Sequence, residues 1–291
     1  MLIQALLGGL VFGLYFTLIG LGLNLVFGVM RVVNIAQGSF VMLGAYAAFF
    51  AWELFRLHPV WAAVAVLVAF FVIGLPLYYL MIPRLQVAKD AEMLSLILFF
   101  GLAQMIEAGA SIAFGSTERS IPSIALGFRS VTVLGQRLPS AWVVSAGVSA
   151  VCVLGVYLYL YRTLLGTLTR AVMVSRTEAV ASGIDVDRVC AVAFGVGIGL
   201  AGVAGVFAPF MFGSVTPAMG DTVNIAAFAV IVVGTLGNPL GTVLGGVIYG
   251  VSLLLMQTYL SSWANLLPNL LLVAVLLARP SGLLGRVTRN A

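Results

Sequence analysis

The chain reads as an all-α polytopic membrane protein with about eight to nine transmembrane helices, some of them broken or re-entrant. Three observations carry that expectation. Hydrophobic residues make up 62% of the 291 positions and charged residues only 8%, whereas a soluble domain is about half apolar and about a quarter charged. The apolar residues fall in runs of roughly 20, the length that crosses the hydrocarbon core of a bilayer. The charges gather between those runs and not along them. A soluble fold could not cover so much apolar surface with so few charges, so lipid is the solvent.

The runs place spans at about 4–29, 35–54, 59–82, 92–115, 140–161 and 189–212. The region 224–260 holds one broken span or two short ones, and 264–279 is the last. All of 1–291 then forms one transmembrane domain. The opening residues MLIQALLGGL lack a basic stretch and a small-residue cleavage site, so they start an uncleaved first span. With the N-terminus outside, the inner connections hold ten basic residues: Arg31, Arg84, Lys89, Arg162, Arg170, Arg176, Arg188, Arg279, Arg286 and Arg289. The outer connections hold four, Arg56, Arg119, Arg129 and Arg137. Positive residues stay preferentially in the cytoplasm, so this orientation, with the C-terminus inside, is the expected one.

One connection is unlike the others. Arg162–Arg188 carries 7 of the chain's 23 charged residues, four of them arginines, between two long apolar runs. On the charge census the segment 162–190 is cytoplasmic. Within it, Thr177–Gly183 suits a short surface helix, with Glu178 near its start and Gly183 at its C-terminal cap. Two readings stand: a docking helix for a soluble partner, or a solvated loop with ordinary caps.

Two places put polar, helix-breaking residues at membrane depth or its edge: Asn34-Ile35-Ala36-Gln37-Gly38-Ser39, and Gly234–Gly241 with Gly237-Asn238-Pro239 at its centre. Proline removes a backbone donor and biases the residue before it away from helix. Irregular backbone is tolerated in a membrane only where protein or a water-filled cavity satisfies it, and such breaks mark transport sites. Asn34, Gln37, Gly38, Gly237, Asn238 and Pro239 are therefore candidates for a translocation pathway, against the plainer reading of turns between spans. Small residues four apart, at Gly195 and Gly199, Ala201 and Gly205, Gly241 and Gly245, and Gly246 and Gly250, predict close helix packing. In the connection 116–140, Val131-Thr132-Val133 and Arg137-Leu138 flank Gly135-Gln136, which fits a short hairpin over the outer face or an irregular loop.

The rest of the chemistry is exclusion. The only lysine, Lys89, sits in Gln86-Val87-Ala88-Lys89-Asp90 and not in a phosphate-binding loop. The only histidine is His58, which with Glu53, Arg56, Trp52 and Trp61 fits an interfacial anchor. Cys152 and Cys190 form no metal pattern or disulfide framework. Glu107, within Leu94–Phe114, is the one acid expected inside the bilayer and a candidate by position alone. No cofactor, metal site or catalytic residue is expected, and the net charge of +5 is spread between spans and not gathered in a nucleic-acid patch. Membrane lipid is the expected surroundings. Spans so poor in charge offer little ion-coupling chemistry, so energy is expected to enter through 162–190.

Four stretches carry a resemblance. Gly20–Val29 followed by Val33-Asn34-Ile35-Ala36-Gln37-Gly38 resembles the first span and the N-[LF]-[AS]-[HQ]-G signature of the inner-membrane permeases of branched-chain amino acid ABC importers. Arg170-Ala171-Val172 and Gly183–Val189 resemble that family's coupling region. Gly234–Gly246 is similar to its glycine-rich late motif, and Arg279-Pro280-Ser281-Gly282-Leu283-Leu284-Gly285 to its C-terminal ending. The likeness is to the LivH-type branch more than the LivM-type. It implies half of a translocation pathway for branched-chain or related hydrophobic amino acids, or another small solute. It also implies a second, LivM-like permease chain, two cytoplasmic ATP-binding subunits and a periplasmic substrate-binding protein. The coupling residues it implies are Arg170, Arg176, Glu178, Ala179 and Gly183. The segment departs from the E-A-A-x3-G pattern of such permeases: Val180 follows Glu178-Ala179, and Gly183 comes five residues after the glutamate, not six. A self-sufficient secondary transporter or channel, or a scaffold subunit without a pathway, are the competing classes.

Overall fold

The computed structural model describes residues 2–86, 90–126, 130–133, 135–279 and 282–284. Lys89, Arg129, Pro280, Ser281, Gly285, Arg286 and Arg289 lie outside the described residues. The helices are α1 (Leu2–Met30), α2 (Gln37–Phe55), α3 (Pro59–Gln86), α4 (Ala91–Phe114), α5 (Ser140–Arg162), α6 (Leu164–Val174) and α7 (Arg176–Ala181). They continue with α8 (Val186–Phe212), α9 (Met219–Gly234), α10 (Pro239–Tyr259) and α11 (Leu267–Ala278), the last led in by a 3₁₀ turn at Ser261–Leu266. Among the described residues, eight helical segments are long and apolar enough to cross a membrane, and α9 is a shorter apolar helix. The open question over 224–260 resolves into two helices, split at residues 235–238. The hairpin forms as β1 (Ser130–Val133) and β2 (Gln136–Pro139), antiparallel, with Val131 opposite Leu138.

Two helices are the axis of the bundle. α1 and α8 are apolar on every side and are the most buried of the spans, as a uniformly hydrophobic helix must be when other helices surround it. They run antiparallel: Gly22 lies against Gly197, and the Tyr15 hydroxyl donates to the Ala204 carbonyl oxygen at 3.1 Å. α3, α4, α5 and α11 surround them and leave large apolar faces exposed, including Val68, Ile97, Leu154 and Leu277. Those faces suit lipid.

The glycines decide how close the helices come. A methyl group at Gly205 would overlap the Val41 carbonyl oxygen, and one at Gly246 would overlap the Thr17 hydroxyl. At Gly250 it would meet the backbone of Gly13, and at Gly199 it would press on Leu67. Each expected small-residue position in α8 and α10 that is a glycine therefore faces a neighbouring helix. In lipid, where helices gain little from hiding apolar surface, such dispersion contacts hold the bundle.

Helix ends follow local rules that hydropathy misses. α8 begins at Val186 because the Asp185 carboxylate accepts from the Arg188 N–H at 3.2 Å, adding a polar first turn. Arg56 caps α2 with its guanidinium 5.4 Å over the Trp52 ring. Two of the connections at the Leu2 end are joined: Arg119 and Val215 exchange backbone hydrogen bonds at 3.0 and 2.7 Å.

Gly205→Leu is expected to cost more than about 3 kcal/mol through overpacking and to lower the melting temperature of the detergent-solubilised chain sharply. Gly155→Ala, at an exposed position with open space around it, is expected to be neutral or stabilising by up to about 1 kcal/mol. Equal melting temperatures for the two variants would contradict this packing.

Candidate translocation and coupling sites

The first break is inside the bundle. α1 ends at Met30, and Arg31 turns the chain with φ 53°. Residues 31–36 then climb back along the bundle before α2 begins. Gln37, the first residue of α2, is fully buried and its Nε2 donates to the Gly197 carbonyl oxygen at 3.3 Å. Gly197 lies eleven residues into α8, so α2 starts about 16 Å from the Met30 end of the bundle at 1.5 Å per residue. The Asn34 amide nitrogen donates to Gln37 Oε1 at 3.4 Å, which braces the segment from within. Asn34, Gln37 and Ser39 are therefore buried inside the bundle. Gly38 then abuts α9: a methyl there would overlap the Gly220 carbonyl oxygen and press on Asn224 Cβ. The first turns of α2 and α9 thus meet back to back among the other helices. Beside them Asn34 Oδ1 and Asn224 Oδ1 are buried and have no hydrogen-bond partner among the described residues.

The second break is held by a residue that sequence reading passed over. Asn24 on α1 is buried, and its Nδ2 points into three acceptors: the carbonyl oxygens of Thr235 (3.3 Å) and Asn238 (2.9 Å) and the Thr242 hydroxyl. The Gly237 N–H donates back to Asn24 Oδ1. One side-chain amide therefore ties α1 to three backbone groups of the α9–α10 turn, which also bonds within itself from the Asn238 N–H to the Thr235 carbonyl oxygen at 3.4 Å. Asn238 caps α10, its Oδ1 accepting from the N–H groups of Leu240 (3.1 Å) and Gly241 (3.4 Å), and Pro239 occupies the first helical turn, where no donor is missed. Gly237 has φ +77° and sits against Gly28 of α1. Thr235 has φ 120°, an outlier for a β-branched residue. The segment 282–284 holds it there: Leu284 N–H donates to Thr235 Oγ1 at 3.1 Å, and Leu283 N–H to the Val233 carbonyl oxygen at 3.1 Å.

The charged segment folds as α6 and α7 at the Met30 end. Thr163 caps α6 by accepting from the Gly166 N–H at 3.0 Å, and Ser175 caps α7 by accepting from the Glu178 N–H at 3.3 Å. α7 closes with Gly183 at φ +78°. Its N–H donates to the Val180 carbonyl oxygen (2.9 Å) and the Ile184 N–H to that of Ala179 (3.1 Å), the paired bonds of a glycine-ended helix. The five coupling candidates divide by exposure. Glu178 and Gly183 are exposed, while Ala179 is buried against the bundle. Arg170 is half-buried with its guanidinium 4.7 Å from the Tyr161 ring centre. Arg176 reaches Asp187 of α8 at 3.6 Å, and the Tyr78 hydroxyl of α3 donates to the same carboxylate at 3.2 Å. Between the end of α1 (Gly28–Arg31) and the α6–α7 joint (Val172, Ser175–Thr177) lies a cleft of about 340 Å³. The segment therefore faces the end of α1, with Met173 against Gly28.

Asn24→Leu is expected to leave the Gly237 N–H without its acceptor, a loss of about 1–3 kcal/mol, while the Thr235 and Asn238 carbonyl groups keep their bonds from the Asn238 and Thr242 N–H groups. A lowered melting temperature and faster amide exchange at Gly237 are the expected readouts. Unchanged exchange would contradict the role given to Asn24.

Residues 5–276 match the family model described as "Branched-chain amino acid transport system / permease component". The probable branched-chain amino acid transport permease protein LivH of Methanocaldococcus jannaschii is 30% identical over 96% of this chain and 91% of its own. The high-affinity permease proteins LivH of Salmonella typhimurium and BraD of Pseudomonas aeruginosa are 28% and 27% identical, each over 98% of this chain and 96% of their own. No solved structure matches the chain. A match across nearly all of the spans, including both breaks, α6 and α7, means that this multi-pass membrane protein belongs to the family of branched-chain amino acid transport permease components.

Proposed function

We propose that the chain is a permease subunit of an ATP-driven importer and forms half of a translocation pathway for branched-chain or related hydrophobic amino acids. Its partners in this reading are a second, LivM-like permease chain, two cytoplasmic ATP-binding subunits and a periplasmic binding protein. It lies in a bacterial inner membrane with the Leu2 end outside and the Met30 end in the cytoplasm, and 162–190 is its coupling segment within a single membrane domain. ATP is hydrolysed by the separate subunits.

The observation that carries the reading is the meeting of α2 and α9 inside the bundle. Two helix starts present positive dipole ends, which favour a carboxylate. Two buried amide oxygens beside them, on Asn34 and Asn224, lack partners, and an unpaired buried acceptor costs about 1–3 kcal/mol. A water or a solute ammonium group removes that cost. Gly38 against Gly220 closes the junction in this structure, so passage requires α2 and α9 to part. Asn34, Gln37 and Gly38 line that junction, and Gly237, Asn238 and Pro239 form the turn that anchors the far end of α9. Met173 of α6 against Gly28 of α1 supports a mechanical link, because a push on the α6–α7 joint is passed to the end of α1, just before the climb to Gln37 begins.

Glu178→Lys reverses an exposed charge on α7, and it is expected to reduce co-purified ATP-binding subunit at least tenfold, about 1.4 kcal/mol. Deleting Thr177–Gly183 is expected to abolish the association and ATP-driven leucine uptake in reconstituted vesicles. An intact, substrate-stimulated complex after the deletion would refute the coupling assignment. Leucine uptake by vesicles holding this chain alone, driven by a sodium or pH gradient, would replace the importer reading with a secondary transporter.

A further inference from the structure

A second feature of the bundle lies outside both breaks. Between α1, α8, α9, α10 and α11 is a cavity of about 480 Å³, within the range that holds small ligands. It reaches from mid-bundle toward the Leu2 end, and its two walls differ in chemistry. The inner wall is aromatic: Phe16 packs edge-on against Tyr249 at 4.6 Å between ring centres and against Phe212 at 6.2 Å. Two turns further along α10, toward the Leu2 end, and on the 3₁₀ turn and α11, the cavity carries three primary amides, Gln257, Asn265 and Asn269. No Asp, Glu, Lys, Arg or His lines it. α9 separates this cavity from the closed junction: Val223 and Ala226 face the cavity, while Asn224 touches Gly38.

We infer that this cavity is the outer vestibule of the pathway, where a solute of zero net charge with a compact apolar side chain waits before α2 and α9 part. The inference rests on the importer reading above. Amides donate and accept at once, so they suit a zwitterion whose two charges offset each other. The amides lie exposed at the mouth, and a solute with net charge that leaves water there for the aromatic wall finds no counter-charge among the lining residues, which is costly. The aromatic wall takes the side chain and stands between the solute and the junction. A lipid tail fits this lining poorly, because three amides would lose water with no partner in exchange.

The test uses the full importer in vesicles and follows Asn269→Cys with a membrane-impermeant maleimide added outside, the parent chain giving the background. Labelling is expected, and saturating leucine is expected to slow it at least fivefold, whereas the anion 4-methyl-2-oxopentanoate is expected to leave it unchanged. Gln257→Leu combined with Asn269→Leu is expected to raise the KM for leucine at least tenfold with the ATP-binding subunits still bound. If the parent carries leucine and labelling is unprotected, or blocked by lipid regardless of leucine, the vestibule assignment falls alone. Equal protection by the anion, or an unchanged KM in the double variant, also overturns it. If the parent complex carries no leucine, the importer reading falls and the vestibule with it.

Discussion

In a bilayer, a turn that interrupts a helix cannot turn to water for hydrogen bonds, and the rest of this architecture depends on how that debt is met at the α9–α10 turn. Asn24 meets it. A single amide on the central helix gathers the carbonyl groups of Thr235 and Asn238, the hydroxyl of Thr242 and the N–H of Gly237. Each group left unpaired in an apolar setting would cost kilocalories. With this contact α9 can be a short helix whose start lies inside the bundle and whose end is pinned to α1. The same helix, through Gly22, accepts Gln37 at the start of α2. α1 is thus the post to which both interrupted helices are tied.

That arrangement gives the interior an uneven stiffness. The contacts along α1, α8 and α10 are backbone against backbone at Gly13, Gly22, Gly197, Gly246 and Gly250, with little room for sliding. The junction of α2 and α9 is different. It also brings glycines together, at Gly38 and Gly220, yet the polar atoms next to it on Asn34 and Asn224 are left unpaired. A frame held by dense contacts around a seam with unmet hydrogen bonds is suited to opening at that seam. The Thr235 backbone, held at φ 120° by Asn24 and by residues 282–284, adds strain of about 1–3 kcal/mol at the other end of α9.

Much of this was legible in the sequence, for identifiable reasons. Spans followed from hydropathy because lipid demands about 20 apolar residues whatever their order. Alternation around Gly135 left the hairpin at 130–139 as one of two readings, beside an irregular loop, and the end of α7 was marked by Gly183, whose positive φ suits a residue without Cβ. The boundaries that slipped are those set by single side chains, such as Asp185 extending α8 to Val186. The role of Asn24 was not legible, because one amide in an apolar run looks the same whether it faces lipid, a neighbour or a turn 211 residues away. The depth of Gln37 was not legible either, since it depends on the return path of 31–36 and not on composition. The cavity draws on residues from Phe16 to Asn269, and no local pattern links them.

The central claim is that Asn24 is coupled to the turn it holds, and a double-mutant cycle between Asn24→Leu and Thr242→Val measures that most directly. Hydrogen bonds between membrane helices show coupling of about 0.6 kcal/mol on average and reach about 1.7. With its three acceptors and one donor around a single amide, the Asn24 site is expected to give a coupling above about 0.6 kcal/mol in reversible unfolding. Strictly additive effects of the two substitutions would show that the turn is held by something other than Asn24 and would remove the post on which this account stands.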